Sequence, residues 1–314
     1  IVDAYFAHDT GSIARLAQPD IQFGFTARKN YLEATVLRET LQTYSEEKNV
    51  CLILLTSDVT NAFTRTDRNS QLYELLNAKE HGEYWHYSFR TYENTATIIY
   101  GDKKWSKYLM EWVGAKQGAL KSAPDFKLYN IPLWRLIENS KLGAVILETS
   151  VGLILVADDS ISLAQDKIRL KGIIELYEHY SKLYDVKFAF HKTDLAVFGD
   201  KKAKAEMQLD ETIKIGGERL IFNEKNEHLG LWQCTDIKKT AVENVRHRLN
   251  KTSKKVFAMM GSSLSSAPGM DLDTSRTIYK VNIKPSMLAG IQAIHMTNES
   301  LNMLETYEEK LMRA

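Results

Sequence analysis

The sequence predicts an α+β fold, and three observations carry that expectation. Strand-like apolar runs and amphipathic helical stretches alternate irregularly rather than as a regular βαβ series. Several of the strand-like runs are joined by short polar turns, which implies hairpins and antiparallel pairing. The 314 residues are 44% hydrophobic and 26% charged, enough for a sizeable core and one large or two to three small domains. That composition excludes collagen-like, mucin-like and largely disordered chains.

The elements are read in chain order. Asn30 is placed to cap a helix over Tyr31–Glu46, whose apolar positions Leu32, Val36, Leu37, Leu41 and Tyr44 recur at helical spacing. Cys51–Leu55 reads CLILL, a continuous apolar run too short for most helices, so it predicts a buried strand. A helix follows over Asp67–Ala78. Residues 84–112 are aromatic and Thr-rich, which predicts a β-hairpin turning at Gly101-Asp102. Aromatic residues on such a hairpin are expected in the core rather than in base stacking. Gly114–Gly118 reads as a turn, and Ala123–Asn139 as a helix entered near Pro124. Val145–Ile161 carries two apolar stretches broken at Asp158-Asp159, a tight hairpin turn. Gln165–Tyr184 is a long amphipathic helix, Phe188–Phe198 a strand, and Arg219–Trp232 a hairpin with its tip at Asn223–Glu227. From Thr235 the chain is helical and basic.

Charge and cysteine content narrow the function. Lys and Arg number 41 against 40 Asp and Glu, so net charge does not announce a nucleic-acid partner and any basic surface is local. Such a locality lies between Asp236 and Phe257, where seven Lys/Arg (238, 239, 246, 248, 251, 254, 255) face only Asp236 and Glu243. Cys51 and Cys234 cannot form a disulfide framework or a Cys-rich zinc site, and suit a reducing compartment. No apolar stretch approaches the ~20 residues of a membrane span, so no membrane partner is expected. The absence of an initiator Met suggests a piece of something longer.

Three acidic positions carry the candidate chemistry. Asp58 ends the CLILL strand; it would serve as a helix N-cap, or as a carboxylate delivered to a fixed point by a rigid strand. Asp158 and Asp159 sit between buried strands, where adjacent carboxylates repel unless a cation neutralises them. Gly114-Ala115-Lys116-Gln117-Gly118 allows close backbone approach to a flat or anionic ligand, although a plain loop is the commoner reading. The histidines lie in no metal-ligand spacing and no serine-nucleophile motif stands out, which disfavours a hydrolase.

The order of these segments is more specific than any one of them. LLTSDVTNAF (54–63), GAKQGALKSAPDFKLYN (114–130), VADD (156–159), FAFHKTDLAVF (188–198) and NEHLGL (226–231) follow one another, with QFGF at 22–25. This series resembles the reverse transcriptases of non-LTR, LINE-type retrotransposons, over nearly the whole chain from about Gln22. The resemblance implies a right-hand polymerase of fingers, palm and thumb, with an antiparallel palm sheet packed on helices. It implies partial fingers at 1–48, the first catalytic palm strand at 49–65, fingers at 66–112, palm at 113–232, and thumb with C-terminal connection at 233–314.

The resemblance also implies residue roles. Asp58, Asp158 and Asp159 would be the catalytic acids and metal ligands, holding two Mg²⁺ ions with Mn²⁺ as substitute. Lys192 would approach the triphosphate and protonate pyrophosphate. Phe63 would be the steric gate against a ribose 2′-hydroxyl, with Gln117 and Gly118 beside the incoming nucleotide. Gln22 and Phe25 would lie near the template, and His228, Leu229 and Gly230 near the primer end. Arg246, Lys251, Lys254 and Lys255 would track the duplex backbone from a thumb helix. The implied activity is RNA-directed DNA synthesis on an RNA template, from a DNA primer and dNTPs, inside the cell in nucleus or cytoplasm. Val156 stands where the family has Tyr or Phe, Thr64 where it often has Asp, and the fingers segment before QFGF is largely absent. The alternative these departures favour is an inactive or truncated reverse-transcriptase-like nucleic-acid binder. A nucleotide cyclase shares paired carboxylates on a sheet but has no primer to grip.

Overall fold

A computed structural model describes residues 21–26, 28–78, 82–93, 95–115, 119–263 and 272–313. Its centre is a five-stranded sheet built from β1 (Leu52–Ser57), β8 (Leu153–Val156), β9 (Asp159–Ala164), β10 (Asp194–Phe198) and β13 (Ile221–Phe222), in the order β13-β10-β1-β9-β8. All pairings are antiparallel except the short parallel β10–β13 edge. Residues 21–23 add a rung beyond β8, since Phe23 N–H donates to Leu155 and Leu155 N–H to Ile21.

The sheet is buried on both faces, which explains the unbroken apolar run of β1. Ile53 and Leu55 face one cluster with Phe126, Tyr129, Leu133, Ile173 and Tyr177, from helices α5 (Ser122–Ser140) and α6 (Lys167–Tyr184). Leu52 and Leu54 face the other, with Ala34 and Leu41 of helix α1 (Tyr31–Lys48). Each buried Leu or Ile is worth about 1.5–3 kcal/mol. Asn30 caps α1 as expected, its side chain accepting from the amides of Leu32 and Glu33. Asp67 does the same for α3 (Arg68–Asn77), which follows the single turn α2 (Ala62–Arg65).

Several sequence expectations are corrected. Residues 84–92 form helix α4 (Glu83–Tyr92), not a strand. Its buried positions recur at four-residue spacing, at Tyr84, Ser88 and Tyr92, while Trp85 and Phe89 stack 5.5 Å apart on the next face. Only the two-residue strands β2 (Ala96–Thr97), β3 (Tyr100–Gly101), β4 (Lys104–Trp105) and β5 (Leu109–Met110) make the expected hairpin, turning at Asp102-Lys103. Its aromatics are exposed rather than in the core. A further short hairpin, β6 (Ala144–Ile146) with β7 (Thr149–Val151), precedes β8. Between α6 and β10 lies a 3₁₀ turn, Phe190–Lys192, so the expected strand begins only at Asp194.

Beyond β10 come helix α7 (Lys201–Leu209) and a small hairpin of β11 (Lys214–Ile215) and β12 (Glu218–Arg219). The next hairpin is β14 (Lys225–His228) with β15 (Leu231–Cys234), and it turns at Leu229-Gly230 rather than at 223–227. Asn223–Glu227 is not a tip because β13 pairs with β10 instead of with β14. Helix α8 (Ile237–Ser263) then packs on β15 and on α10 (Lys284–Leu288) and α11 (Asn298–Arg313). Helix α9 (Leu272–Ile278) leads into α10. Cys51 and Cys234 are free thiols, and no described helix is long and apolar enough to cross a membrane.

The N-terminal rung is locked to the β8–β9 turn. A Cβ on Gly24 would lie 2.1 Å from the Ala157 amide nitrogen, so only glycine allows this approach. We expect Gly24→Ala to destabilise the fold by about 1–3 kcal/mol, as overpacking against fixed backbone does. Urea unfolding measures it, and an unchanged midpoint would mean that the rung does not dock on the turn.

Candidate active site

The central pairing sets the geometry of the acids. Ser57 pairs with Ser160 and Val156 with Asp159, so the β8–β9 loop has only two residues, Ala157 and Asp158. Asp58 follows directly on Ser57, which brings it to the same end of the sheet as Asp158, one hundred residues further along the chain. Asp58 and Asp158 both line one cleft of about 570 Å³. Asp159 does not line it; it begins β9 beside them.

The turn is held from two sides. The Gln22 side-chain oxygen accepts from Ala157 N–H at 3.2 Å and from Gly24 N–H at 2.8 Å. Asn130 of α5 donates to the Ala157 carbonyl at 3.1 Å. Ala157 itself carries a left-handed φ of 60°, a strained value for a residue with a Cβ. These contacts over-determine where Asp158 stands.

A second constraint brings Lys192 to Asp58. Ala189 N–H donates to the Asp58 carbonyl at 2.9 Å, and Thr60 N–H to Lys187 at 2.7 Å. The 3₁₀ turn then closes with Lys192 N–H on Ala189, leaving Lys192 Nζ 4.0 Å from Asp58 Oδ2. Both side chains are solvent-accessible, at 63% and 38%, so this is a screened contact in an open cleft.

Phe63, on the single turn α2, lines the same cleft, and its ring packs 4.7 Å from Phe126 and edge-on to Phe25 at 6.2 Å. Phe25 is 56% exposed and is not among the residues that line the cleft. The glycine-rich segment begins beside Phe63: Ala115 N–H donates to the Phe63 carbonyl and Gly114 N–H to Thr66. Gly114 has φ +90°, and a Cβ there would lie 2.6 Å from the Thr64 carbonyl. Gln117 and Gly118 lie outside the described residues.

Burial shapes the electrostatics. Burial and then the Asp58 charge raise the Asp158 carboxyl above its ordinary range. Asp159 is pushed up to about 7 by burial, then by Asp158 and Asp58. Beneath them runs a chain of buried hydroxyls: Ser57 and Ser160 at 2.8 Å, Tyr177 to Ser160 at 2.9 Å, and Ser162 to Tyr177 at 2.9 Å. The two-residue alternation of Ser160 and Ser162 in DSISLA is the signal that would have found this polar row. His191, which also lines the cleft, had no sequence signal of its own.

Two carboxylates on one cleft fit a Mg²⁺ ion that draws its remaining ligands from water and substrate phosphates. Among the described residues no three or more His, Cys, Asp or Glu are placed to hold a metal by themselves. The donor set therefore suits a cation arriving with a phosphate ligand, not a closed structural site.

Other expected contact residues have different surroundings. Gln22 is buried at 2% exposure and spends its oxygen on the turn, so it does not face a template. His228 is buried too; burial and then Arg38 lower it to about 3, keeping it neutral. Its Nδ1 lies 3.2 Å from the Arg38 guanidinium, so the imidazole joins α1 to the β14–β15 hairpin rather than facing a primer. Leu229 and Gly230, both at positive φ, form the hairpin turn. Arg246, Lys251 and Lys254 are exposed on α8, with Arg246 paired to Glu243. Lys255 donates to the Asn282 carbonyl, and Arg248 turns inward to the Gly230 carbonyl. The basic run of α8 thus divides between surface charge and internal anchors.

The Asp159 shift has a sign that can be checked. Its folded value is raised, so its contribution to stability is fully present below its ordinary 3.8 and is lost as pH rises through about 7. Asp159→Asn removes that loss. We expect the variant to match the parent near pH 4 and to exceed it by roughly 2–4 kcal/mol above pH 8. Chemical denaturation in chelator across that range measures it, and a pH-independent difference would contradict the desolvated cluster.

No family model matches the chain, and no curated protein matches it. Solved structures do. Apo telomerase from Candida tropicalis, truncated from its C-terminal domain, superposes with a TM-score of 0.53 at 12% identity, over 74% of this chain and 44% of that one. Untruncated apo telomerase from the same organism gives 0.51 at 10% identity, over 98% and 58%. Candida tropicalis telomerase in complex with a TWJ fragment of telomeric RNA gives 0.50 at 11% identity, over 96% and 56%. The chain spans about half the length of these structures. At such identities the likeness is one of fold alone: this chain shares the fold of the matched part of these telomerase structures.

Proposed function

We propose that this chain is the polymerase part of a non-LTR retroelement reverse transcriptase, an RNA-directed DNA polymerase. The observation that carries the reading is the convergence of Asp58 and Asp158, one hundred residues apart, on one cleft with Lys192 and Phe63. In this reading residues 49–65 and 113–232 are palm, 1–48 and 66–112 fingers, and 233–314 thumb and connection.

The reaction is an in-line displacement. The primer 3′-oxygen attacks the α-phosphorus of a dNTP, the bond to the β-phosphate oxygen breaks, and pyrophosphate leaves. Two Mg²⁺ ions held by Asp58, Asp158 and the triphosphate would supply charge stabilisation to the attacking and leaving oxygens. The protein's own residues then have separable roles. The pinned Ala157 turn fixes Asp158, and the 187–189 pairing fixes Asp58 and Lys192 relative to it. Lys192, exposed at the cleft, is positioned to give a proton to departing pyrophosphate. Phe63, braced by Phe126, walls the sugar side and disfavours a 2′-hydroxyl. The exposed Arg246, Lys251 and Lys254 hold duplex backbone in a sequence-independent, salt-sensitive way. An RNA-containing duplex is recognised there by shape, because its deep major groove hides base edges.

Extension of a DNA primer on an RNA template with dNTPs and Mg²⁺ tests the reading. Asp158→Ala should lose about 10³-fold in rate, since metal-held charge stabilisation is worth several kcal/mol. Its melting temperature should stay level or rise, because a buried repulsion is removed. Extension at the parent rate would overturn the assignment of Asp158. A folded parent that binds the template–primer but extends nothing would identify the inactive binder instead.

A further inference from the structure

Residues 96–110 are exposed throughout, and large aromatic and aliphatic side chains occupy much of that surface. Tyr100 is 57% exposed, Trp105 71%, Tyr108 74% and Trp112 71%. Tyr100 and Trp105 pair across β3 and β4 with ring centres 4.7 Å apart. Lys103, Lys104 and Lys107 are interleaved with them, and none is in an ion pair among the described residues. A protein that wanted these rings only for its core would bury them; the molecule buries Tyr84 and Tyr92 on the adjoining helix instead.

The arm is anchored although its tip is bare. Arg68, itself buried, donates to the carbonyls of Tyr92, Glu111 and Gly114. One guanidinium thereby holds both roots of the 93–113 arm, and Gly114 ties the second root to the Phe63 turn at the cleft. Thr97 and Glu111 add a hydrogen bond across the stem. The aromatic surface is therefore presented by a fixed base next to the cleft.

We propose that this arm is a binding platform for single-stranded nucleic acid, on which unpaired bases stack against Tyr100, Trp105, Tyr108 and Trp112 while the lysines neutralise phosphates. Aromatic faces interleaved with cations are what an unpaired strand requires, because every base has a π-face and every nucleotide a charge. A purely apolar protein partner would leave three lysines desolvated without counter-charge. On the polymerase reading, the strand is the template ahead of the cleft. The stacking surface itself does not depend on that reading.

The test is fluorescence anisotropy of a labelled single-stranded oligonucleotide, twelve nucleotides of mixed sequence as RNA and as DNA, with the full chain. The variant Trp105→Ala/Tyr108→Ala/Trp112→Ala should bind at least ~10-fold more weakly, since the stacking faces are removed. Trp105→Phe/Tyr108→Phe/Trp112→Phe should retain most affinity, and melting should be unchanged in both. A parent that binds the oligonucleotide in this way but extends no primer would end the polymerase reading and leave this result standing. Unchanged binding in the alanine variant would overturn the platform. So would a parent that is dimeric by light scattering and becomes monomeric in the alanine variant while still binding the oligonucleotide, since the arm would then be a contact between copies.

Discussion

The pairing of β1 with β9 is the constraint on which the rest depends. Its register sets Ser57 against Ser160, and that single registration brings Asp58 to the end of the sheet where the two-residue turn presents Asp158. A slip of one residue would reverse every side chain on β1, exchanging the Leu52/Leu54 face with the Ile53/Leu55 face. The two faces are buried in different clusters, so the slip is opposed along the whole strand. The hydrophobic core thereby fixes the position of the charges, and the charges add a cost that the core must carry. Burial and mutual repulsion push Asp158 and Asp159 toward the protonated state. In the proposed reading this cost is offset at the rim of the open cleft by a cation brought by its ligand.

Around that register the molecule adds rigid supports. Gln22, Gly24 and Asn130 clamp the Ala157 turn from two different elements. The antiparallel contact of 187–189 with 58–60 carries Lys192 to Asp58. Arg68 gathers the roots of the aromatic arm, and Arg248 holds the turn at Gly230. Gln22, Asn130, Arg68 and Arg248 are buried polar side chains bonded to backbone atoms, which positions chain segments without a large interface.

How much of this was legible in the sequence follows from what each signal reports. CLILL announced a strand buried on both faces, and the caps Asn30 and Asp67 announced helix starts, because those signals are local. The Asp158 turn was legible for the same reason. The helix at 84–92 was not, since aromatic and Thr-rich composition favours strands while the four-residue spacing of Tyr84, Ser88 and Tyr92 obeys a helix. The burial of Gln22 and His228 was hidden because both lie in motifs that resembled nucleic-acid contacts, and their partners, Ala157 and Arg38, are 135 and 190 residues away in sequence. The exposure of Trp105 and Tyr108 was equally hidden, for aromatic content does not say whether a second layer covers it. Arg248 and Lys255 counted as surface charge until α8 was seen to point them at backbone carbonyls.

The central claim is that Asp58 and Asp158 form one cation site completed by a triphosphate. Titration of Mn²⁺ followed by its electron paramagnetic resonance signal, with and without a dNTP, tests it most directly. Binding should be weak alone and tighten when the dNTP is present, and the double variant Asp58→Asn/Asp158→Asn should lose that nucleotide-dependent binding. Equal Mn²⁺ uptake by the parent and the double variant in the presence of dNTP would contradict it.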